Sequence, residues 1–126
     1  MTDKDFGDVV ALVEGFLRIA RVLAPRVKSG TAVAEDREKY INAVDGLSEN
    51  RERMARAIAE NWSRYHVIGQ IAARIGGAGP ALVPILRELR GLAGFQVING
   101  PASARPTWHG RFQQIEFDIR RYGSRR

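Results

Sequence analysis

The chain has no cysteine and only two histidines, His66 and His109, among its 126 residues. The absence of cysteine excludes disulfides, thiolate metal sites and cysteine nucleophiles. The two histidines lie far apart in sequence, so a zinc site would need several carboxylates to complete it. No phosphate-binding loop or other catalytic motif is present. We therefore predict a protein that is not an enzyme and that needs no metal or other cofactor.

Long hydrophobic runs are also missing. The longest strongly apolar run without a charge is the twelve residues from Ile75 to Leu86, whereas a membrane-spanning helix needs about 20. The acidic start, Met-Thr-Asp-Lys-Asp, lacks the basic region of a secretory signal. These features predict no integral membrane span and an intracellular location, either cytoplasmic or within a virion.

Lysine is absent from the second half of the chain, where the positive charge is concentrated. Residues 1–50 carry seven basic and nine acidic groups, a net charge of −2. Residues 51–126 carry thirteen basic and five acidic groups, a net charge of +8, and all thirteen are arginines. Arginine binds phosphate with two parallel hydrogen bonds and stacks on flat rings. A GC-rich genome would equally explain the choice of arginine over lysine, but the charge asymmetry favours a polyanion partner such as DNA or RNA.

The length and the 44% hydrophobic content fit one domain over residues 1–126. Apolar side chains recur at three- and four-residue steps over 3–28, which predicts an amphipathic helix. Its acidic residues come first and its basic residues last, as the helix dipole favours. Pro25 is expected to kink or end this helix, and Ser29-Gly30-Thr31 should form a loop.

Residues 35–75 have a heptad-like pattern in which the steps alternate between four and three. Its eleven positions are Tyr40, Val44, Leu47, Arg51, Met54, Ile58, Asn61, Tyr65, Ile68, Ala72 and Ile75, and all but Arg51 and Asn61 are apolar or aromatic. The pattern predicts one long helix, or two collinear helices with a break at Asp45-Gly46. The first interpretation is antiparallel packing against helix 3–28. The second is a self-association seam, in which Arg51 and Asn61 would set the register.

The remaining third of the chain is less regular. Three glycines and a proline at 76–80 predict a hinge, and a short helix is expected over 84–93, ending at Gly94. Phe95–Ile98 followed by Asn99-Gly100 is typical of a short strand and turn.

Residues 101–106 read as a loop. The stretch 112–122 fits both helix and strand, and we favour helix. The tail 120–126 is expected to be mobile at its end. The predicted fold class is therefore mainly α: a helical hairpin over 3–75, a hinge and short helix over 76–94, and a basic aromatic region over 95–126 with a small hairpin.

Residues 70–90 resemble a helix-turn-helix unit. Ala72 is the small residue where two helices would cross, Gly76 would make the turn, and Leu82 and Ile85 would pack the second helix on the first. The resemblance implies a second helix that enters a DNA major groove. Pro84 departs from the pattern because it would interrupt that helix. A glycine-rich hinge between two packed helices is the alternative.

Arginine and aromatic residues alternate in the C-terminal region, and several further arginines precede it. Arginine neutralises phosphates, and aromatic rings offer stacking surfaces to unpaired bases. The predicted phosphate-binding residues are Arg64, Arg74, Arg87, Arg90, Arg105, Arg111, Arg120 and Arg121. Trp108 and Tyr122 are the predicted stacking residues. The alternative for the aromatic residues is a place in the core.

These features predict a non-enzymatic, phosphate-directed nucleic-acid-binding protein. One alternative is a structural or adaptor subunit of a viral particle or multisubunit complex, which would self-associate or dock on an acidic protein surface. Another is a small inhibitor of a nucleic-acid enzyme.

Overall fold

The computed structural model describes residues 1–123, and they form a bundle of five α-helices with no strand. The helices are α1 (Asp3–Ser29), α2 (Ala34–Glu60), α3 (His66–Arg74), α4 (Gly79–Asn99) and α5 (Arg105–Gly123), with short 3₁₀ helices at Trp62–Tyr65 and Ala102–Ala104. The predicted mainly-α fold class is confirmed. No helix within these 123 residues is long and apolar enough to cross a membrane.

Helix α1 begins and ends where its sequence predicts. The Thr2 hydroxyl accepts a hydrogen bond from the Asp5 amide (3.1 Å), and this caps the N-terminus. Gly30 ends the helix in the left-handed region, at φ 76°, which glycine adopts without a steric penalty. Of the two effects expected of Pro25, ending the helix does not occur, because α1 continues through it to Ser29. Proline lacks the N–H that would bond to the carbonyl one turn earlier, so it removes one hydrogen bond close to the end of the helix.

Helices α1 and α2 pack antiparallel, as predicted. Arg26 forms an ion pair with Asp36 beside the connecting loop (3.2 Å), and the other ends of the two helices meet near residues 1 and 60. Between these ends, the Phe16 ring crosses α2 at Gly46, where an added Cβ would lie 2.5 Å from the ring. The predicted break at Asp45-Gly46 is therefore wrong: this glycine lies inside a continuous helix and admits the Phe16 ring.

The chain does break at Asn61, so the prediction of one helix over 35–75 is also wrong. Helix α2 ends at Glu60, and Asn61 has an extended backbone (φ −142°, ψ 96°). The Asn61 side chain accepts a hydrogen bond from the Ser63 amide (3.2 Å), which begins the 3₁₀ helix leading into α3. The heptad-like positions Ile68 and Ile75, which follow the break, are nevertheless buried.

Helix α4 is much longer than the predicted 84–93. It begins at Gly79, immediately after a turn in which Gly77 has a φ of 80°, and it continues through Pro84 to Asn99. Gly94 does not end it, and the predicted strand and hairpin over 95–100 do not form. Burial of Leu82, Leu86 and Leu89 in the core offsets the roughly 3 kcal/mol cost of an internal proline.

Helix α5 completes the bundle and confirms the helical interpretation of 112–122. It starts at Arg105, inside the predicted loop 101–106. Residues 120–123 belong to its last turn; the end of the tail, which is predicted to be mobile, falls on 124–126 and lies outside the described residues. Helix α4 contacts both α2 and α5, and Ile115 and Tyr122 of α5 join the same hydrophobic core as α1 and α2.

Candidate nucleic-acid interface

The exposed arginines of α4 and α5 form the centre of the candidate interface. The two helices run antiparallel, and an ion pair between Arg90 and Glu116 (3.4 Å) joins them midway. Arg87 and Arg120 are exposed and have no hydrogen-bond or ion-pair partner within residues 1–123. Arg105 donates from Nε to the Gly100 carbonyl (2.9 Å), yet its side chain stays exposed. We call these four arginines the basic face.

Arg64, one of the predicted phosphate-binding residues, does not belong to this surface. Its residue exposure is 8%, and its guanidinium donates to the carbonyls of Ala57 (2.9 Å) and Met1 (2.8 Å). The same group pairs with Asp3 (3.3 Å) and lies over the Phe6 ring. A phosphate would have to displace these partners, so Arg64 holds the two ends of the α1–α2 pair together.

Tyr122 is not available for stacking either. It is 7% exposed and belongs to the hydrophobic core, where its ring packs beside Gly79 at the start of α4. Arg121 lies over the Tyr122 ring, 5.4 Å from the centroid, and its own residue remains exposed. The core interpretation therefore holds for Tyr122, and Arg121 extends the basic charge at the end of α5.

Arg74 joins α3 to α1 through Glu14. Its Nε donates to a carboxylate oxygen of Glu14 (3.0 Å), and that carboxylate is largely buried, with a side-chain exposure of 12%. The charge of Arg74 is thus paired with Glu14, and the residue lies outside the basic face of α4 and α5.

Trp108 and Arg111 belong to an aromatic cluster at the junction of the first 3₁₀ helix and α5. The Arg111 guanidinium lies over both indole rings, 4.6 Å from Trp108 and 5.2 Å from Trp62. Trp62 in turn stacks on Tyr65 with 4.4 Å between ring centroids. Trp108 is only partly buried, so part of its ring remains accessible.

Tyr65 and Asp118 form a buried polar contact that the sequence pattern did not reveal. The Tyr65 hydroxyl donates to Asp118 (2.6 Å), and the side-chain amide of Gln114 donates to the same carboxylate oxygen (3.1 Å). The pKa of Tyr65 is raised far above its usual range. Burial is the largest cause, and the hydrogen bond to Asp118 and the negative charge of that carboxylate add to it. These residues lie 53 positions apart, so no local signal links them.

Helices α3 and α4 and their turn have the element order expected of a helix-turn-helix. The second helix, however, contacts both α2 and α5, and its exposed residues include Arg87, Gly91, Phe95 and Ile98. That surface offers one exposed positive charge, and its one exposed amide side chain, Asn99, is the last residue of the helix, far from the N-terminal turns that read base edges. Docking of α4 in a major groove stays a prediction that this surface does not favour.

Within residues 1–123, no three histidine or acidic side chains approach closely enough to hold a metal ion. Comparisons with protein-family models, curated proteins and solved structures find no match to this chain.

Proposed function

We propose that the α4–α5 surface binds the phosphate backbone of nucleic acid through Arg87, Arg90, Arg105, Arg120 and Arg121. The supporting observation is that Arg87 and Arg120 are exposed and lack an intramolecular partner within the described residues. Guanidinium groups free of carboxylates can pair with phosphates without first breaking an ion pair.

The mode of binding follows from the side chains on this surface. Direct base recognition relies on arginine, amide and hydroxyl groups arranged along an element that fits a groove. The exposed strip of α4 has glycine and apolar residues beside its single arginine, and its one amide side chain, Asn99, is the last residue of the helix, so contacts to the backbone should dominate. Such contacts bind most sequences with similar affinity and weaken steeply with salt.

A charge-matched comparison tests this proposal. Arg87→Gln/Arg120→Gln removes two unpaired charges from the basic face, and Arg18→Gln/Arg56→Gln removes two from the surface of α1 and α2, where each is paired one turn away. Binding to labelled 20-nucleotide single-stranded and duplex DNA and RNA is measured by fluorescence anisotropy at several salt concentrations.

We expect the first variant to bind at least about tenfold more weakly at low salt, with a salt slope shallower by about two for duplex. The control should retain nearly all of the affinity. Equal losses in both variants, or no binding of any nucleic acid at low salt, would contradict the proposal.

A second candidate, a subunit that docks in a larger assembly, is favoured by an apolar stripe on the outer side of α1. Leu12, Ile19 and Val22 are 47%, 42% and 62% exposed and recur at near-helical spacing, beside a shallow surface that Phe16 also lines. Contiguous apolar surface of this kind is typical of interaction sites. Light scattering separates the candidates, since a monomer that binds nucleic acid supports the first and a large assembly that ignores it supports the second.

A further inference from the structure

An apolar groove runs along α2, where the first half of the heptad seam is left uncovered. Met54 and Ile58 of the seam are buried completely, but the positions before them are not. We call this surface the α2 groove. It encloses about 250 Å³ and is lined by Ala20, Tyr40, Val44, Leu47, Ser48, Arg51, Ala81, Pro84 and Ile85.

Small side chains keep the α2 groove open. Ala20 on α1 and Ala81 on α4 border it, and the side chain of alanine is a single methyl group that fills little of the space. Val44 therefore remains 38% exposed although it occupies a seam position. From Tyr40 to Arg51 the groove follows α2 for about 16 Å, at 1.5 Å per residue.

One end of the α2 groove is positively charged. Arg51 is exposed and makes no hydrogen bond, ion pair or ring contact within residues 1–123. Arg51 and Pro84 also line a neighbouring depression of about 400 Å³ with Arg87, Glu88 and Gly91. The apolar groove thus opens at its Arg51 end onto a surface where two arginines without partners in the described residues outnumber one acidic side chain, Glu88.

We propose that the α2 groove binds a single-chain amphiphilic carboxylate, such as a free fatty acid, with its carboxylate on Arg51 and its chain along Leu47 and Val44. The apolar lining favours burial of methylene groups, and the unpaired guanidinium favours an anionic head. The volume lies below the roughly 300–1,000 Å³ typical of drug-sized ligands. A slender chain fits this space better than a peptide helix, whose diameter with side chains is about 10–12 Å.

A series of head groups and chain lengths tests the proposal in solution. Octanoate, decanoate, dodecanoate and tetradecanoate, each below its micelle concentration, are titrated by calorimetry against the full chain. Affinity should rise about fourfold per added methylene and stop rising once the groove is filled. Decanol should bind more weakly than decanoate, and decyltrimethylammonium more weakly still.

Matched variants locate the site. Arg51→Gln should weaken decanoate binding by about tenfold, as expected for loss of a charged hydrogen bond, and leave decanol binding unchanged. Arg56→Gln, also on α2 but outside the groove, should have no effect. Ala81→Leu should fill the groove and abolish binding of both ligands, whereas Ala73→Leu, at an exposed position of α3, should not.

Amide chemical shifts give an independent readout. Decanoate should perturb the amides of Val44, Leu47, Ala81 and Ile85 in the unmodified chain. The proposal is overturned if the shifts fall on the α1 stripe instead, if affinity rises without a plateau, or if Arg51→Gln leaves the preference for the carboxylate intact. It is likewise overturned if decyltrimethylammonium binds as tightly as decanoate.

Discussion

Arg64 places a guanidinium where three backbone segments meet: the end of α2, the first residue of the chain and the start of α1. Its Nε is buried and has no hydrogen-bond partner among residues 1–123, while both terminal nitrogens have partners. The sequence shows an arginine beside aromatic residues, which is typical of a nucleic-acid surface. What makes Arg64 structural is the Met1 carbonyl, 63 residues away, and no local pattern reports that contact.

We expect Arg64→Ala to lower the free energy of unfolding by about 2–3 kcal/mol, because several charge-assisted hydrogen bonds and the packing of the side chain are lost. Arg56→Ala, which breaks only an exposed pair with Glu52, should change it by less than about 0.5 kcal/mol. Urea unfolding followed by circular dichroism measures both values. Similar losses in the two variants would show that Arg64 contributes no more than a surface residue.

Two helical glycines should respond in opposite ways to alanine. Alanine favours a helix interior over glycine by about 1 kcal/mol, and at Gly91 nothing lies within 4 Å of an added Cβ. Gly91→Ala should therefore stabilise the chain by about 0.5–1 kcal/mol. At Gly46 the added Cβ would meet the Phe16 ring at 2.5 Å.

Gly46→Ala should consequently destabilise the chain by about 1 kcal/mol, since overpacking exceeds the gain in helix propensity. In a Phe16→Ala background the clash is absent, and Gly46→Ala should become stabilising. Thermal unfolding of the unmodified chain, Gly46→Ala, Phe16→Ala and the double variant measures this coupling, and the same measurement on Gly91→Ala gives its stabilisation. A stabilising effect of Gly46→Ala with Phe16 in place would mean that the ring moves aside at little cost.

At the scale of the elements, the amphipathic helix α1 could be predicted almost to the residue because one of its faces is apolar and its ends are capped. The break at Asn61 could not be predicted, because the apolar residues keep the same spacing before and after the 3₁₀ helix that follows it. The length of helix α4 could not be predicted for a different reason. It contacts α2 on one side and α5 on another, so it has little polar periodicity to distinguish helix from strand over 95–98.

The contact between Tyr65 and Asp118 ties the first 3₁₀ helix to α5, and its strength should depend on pH. Because its pKa is raised, Tyr65 holds its proton more tightly in the folded state than in the unfolded state. The stabilisation of the folded state by the Tyr65–Asp118 hydrogen bond is therefore complete below the unfolded pKa of 10.0 and is lost as the pH rises above that value. Tyr65→Phe should lower the free energy of unfolding by about 1–2 kcal/mol at pH 8.

The difference between Tyr65→Phe and the unmodified chain should narrow at pH 11, because ionisation of Tyr65 then favours the unfolded state of the unmodified chain. Urea unfolding at both pH values measures it, with Tyr40→Phe, a tyrosine outside this contact, as the control. An equal penalty at pH 8 and pH 11 would mean that the hydroxyl does not donate to Asp118 in solution.

At the scale of the whole molecule, the positive charge divides into two groups with different roles. Arg64, Arg74 and Arg90 pair with acidic residues of other segments, and in each pair at least one side chain is more than a third exposed. Such pairs contribute little to stability and are screened by salt. Arg87 and Arg120 lack such partners within the described residues and are left for an external anion.

Raising the salt concentration from about 50 to 500 mM should therefore separate folding from binding. We expect the free energy of unfolding to change by less than about 1 kcal/mol, because the apolar core carries the fold. Affinity for duplex DNA should fall about a thousandfold if three or four arginines of the α4–α5 surface contact phosphates, since the slope is about 0.9 per contact. Unfolding and anisotropy titrations on one preparation measure both quantities. If stability fell in parallel with affinity, the arginines would be holding the bundle together rather than binding a partner.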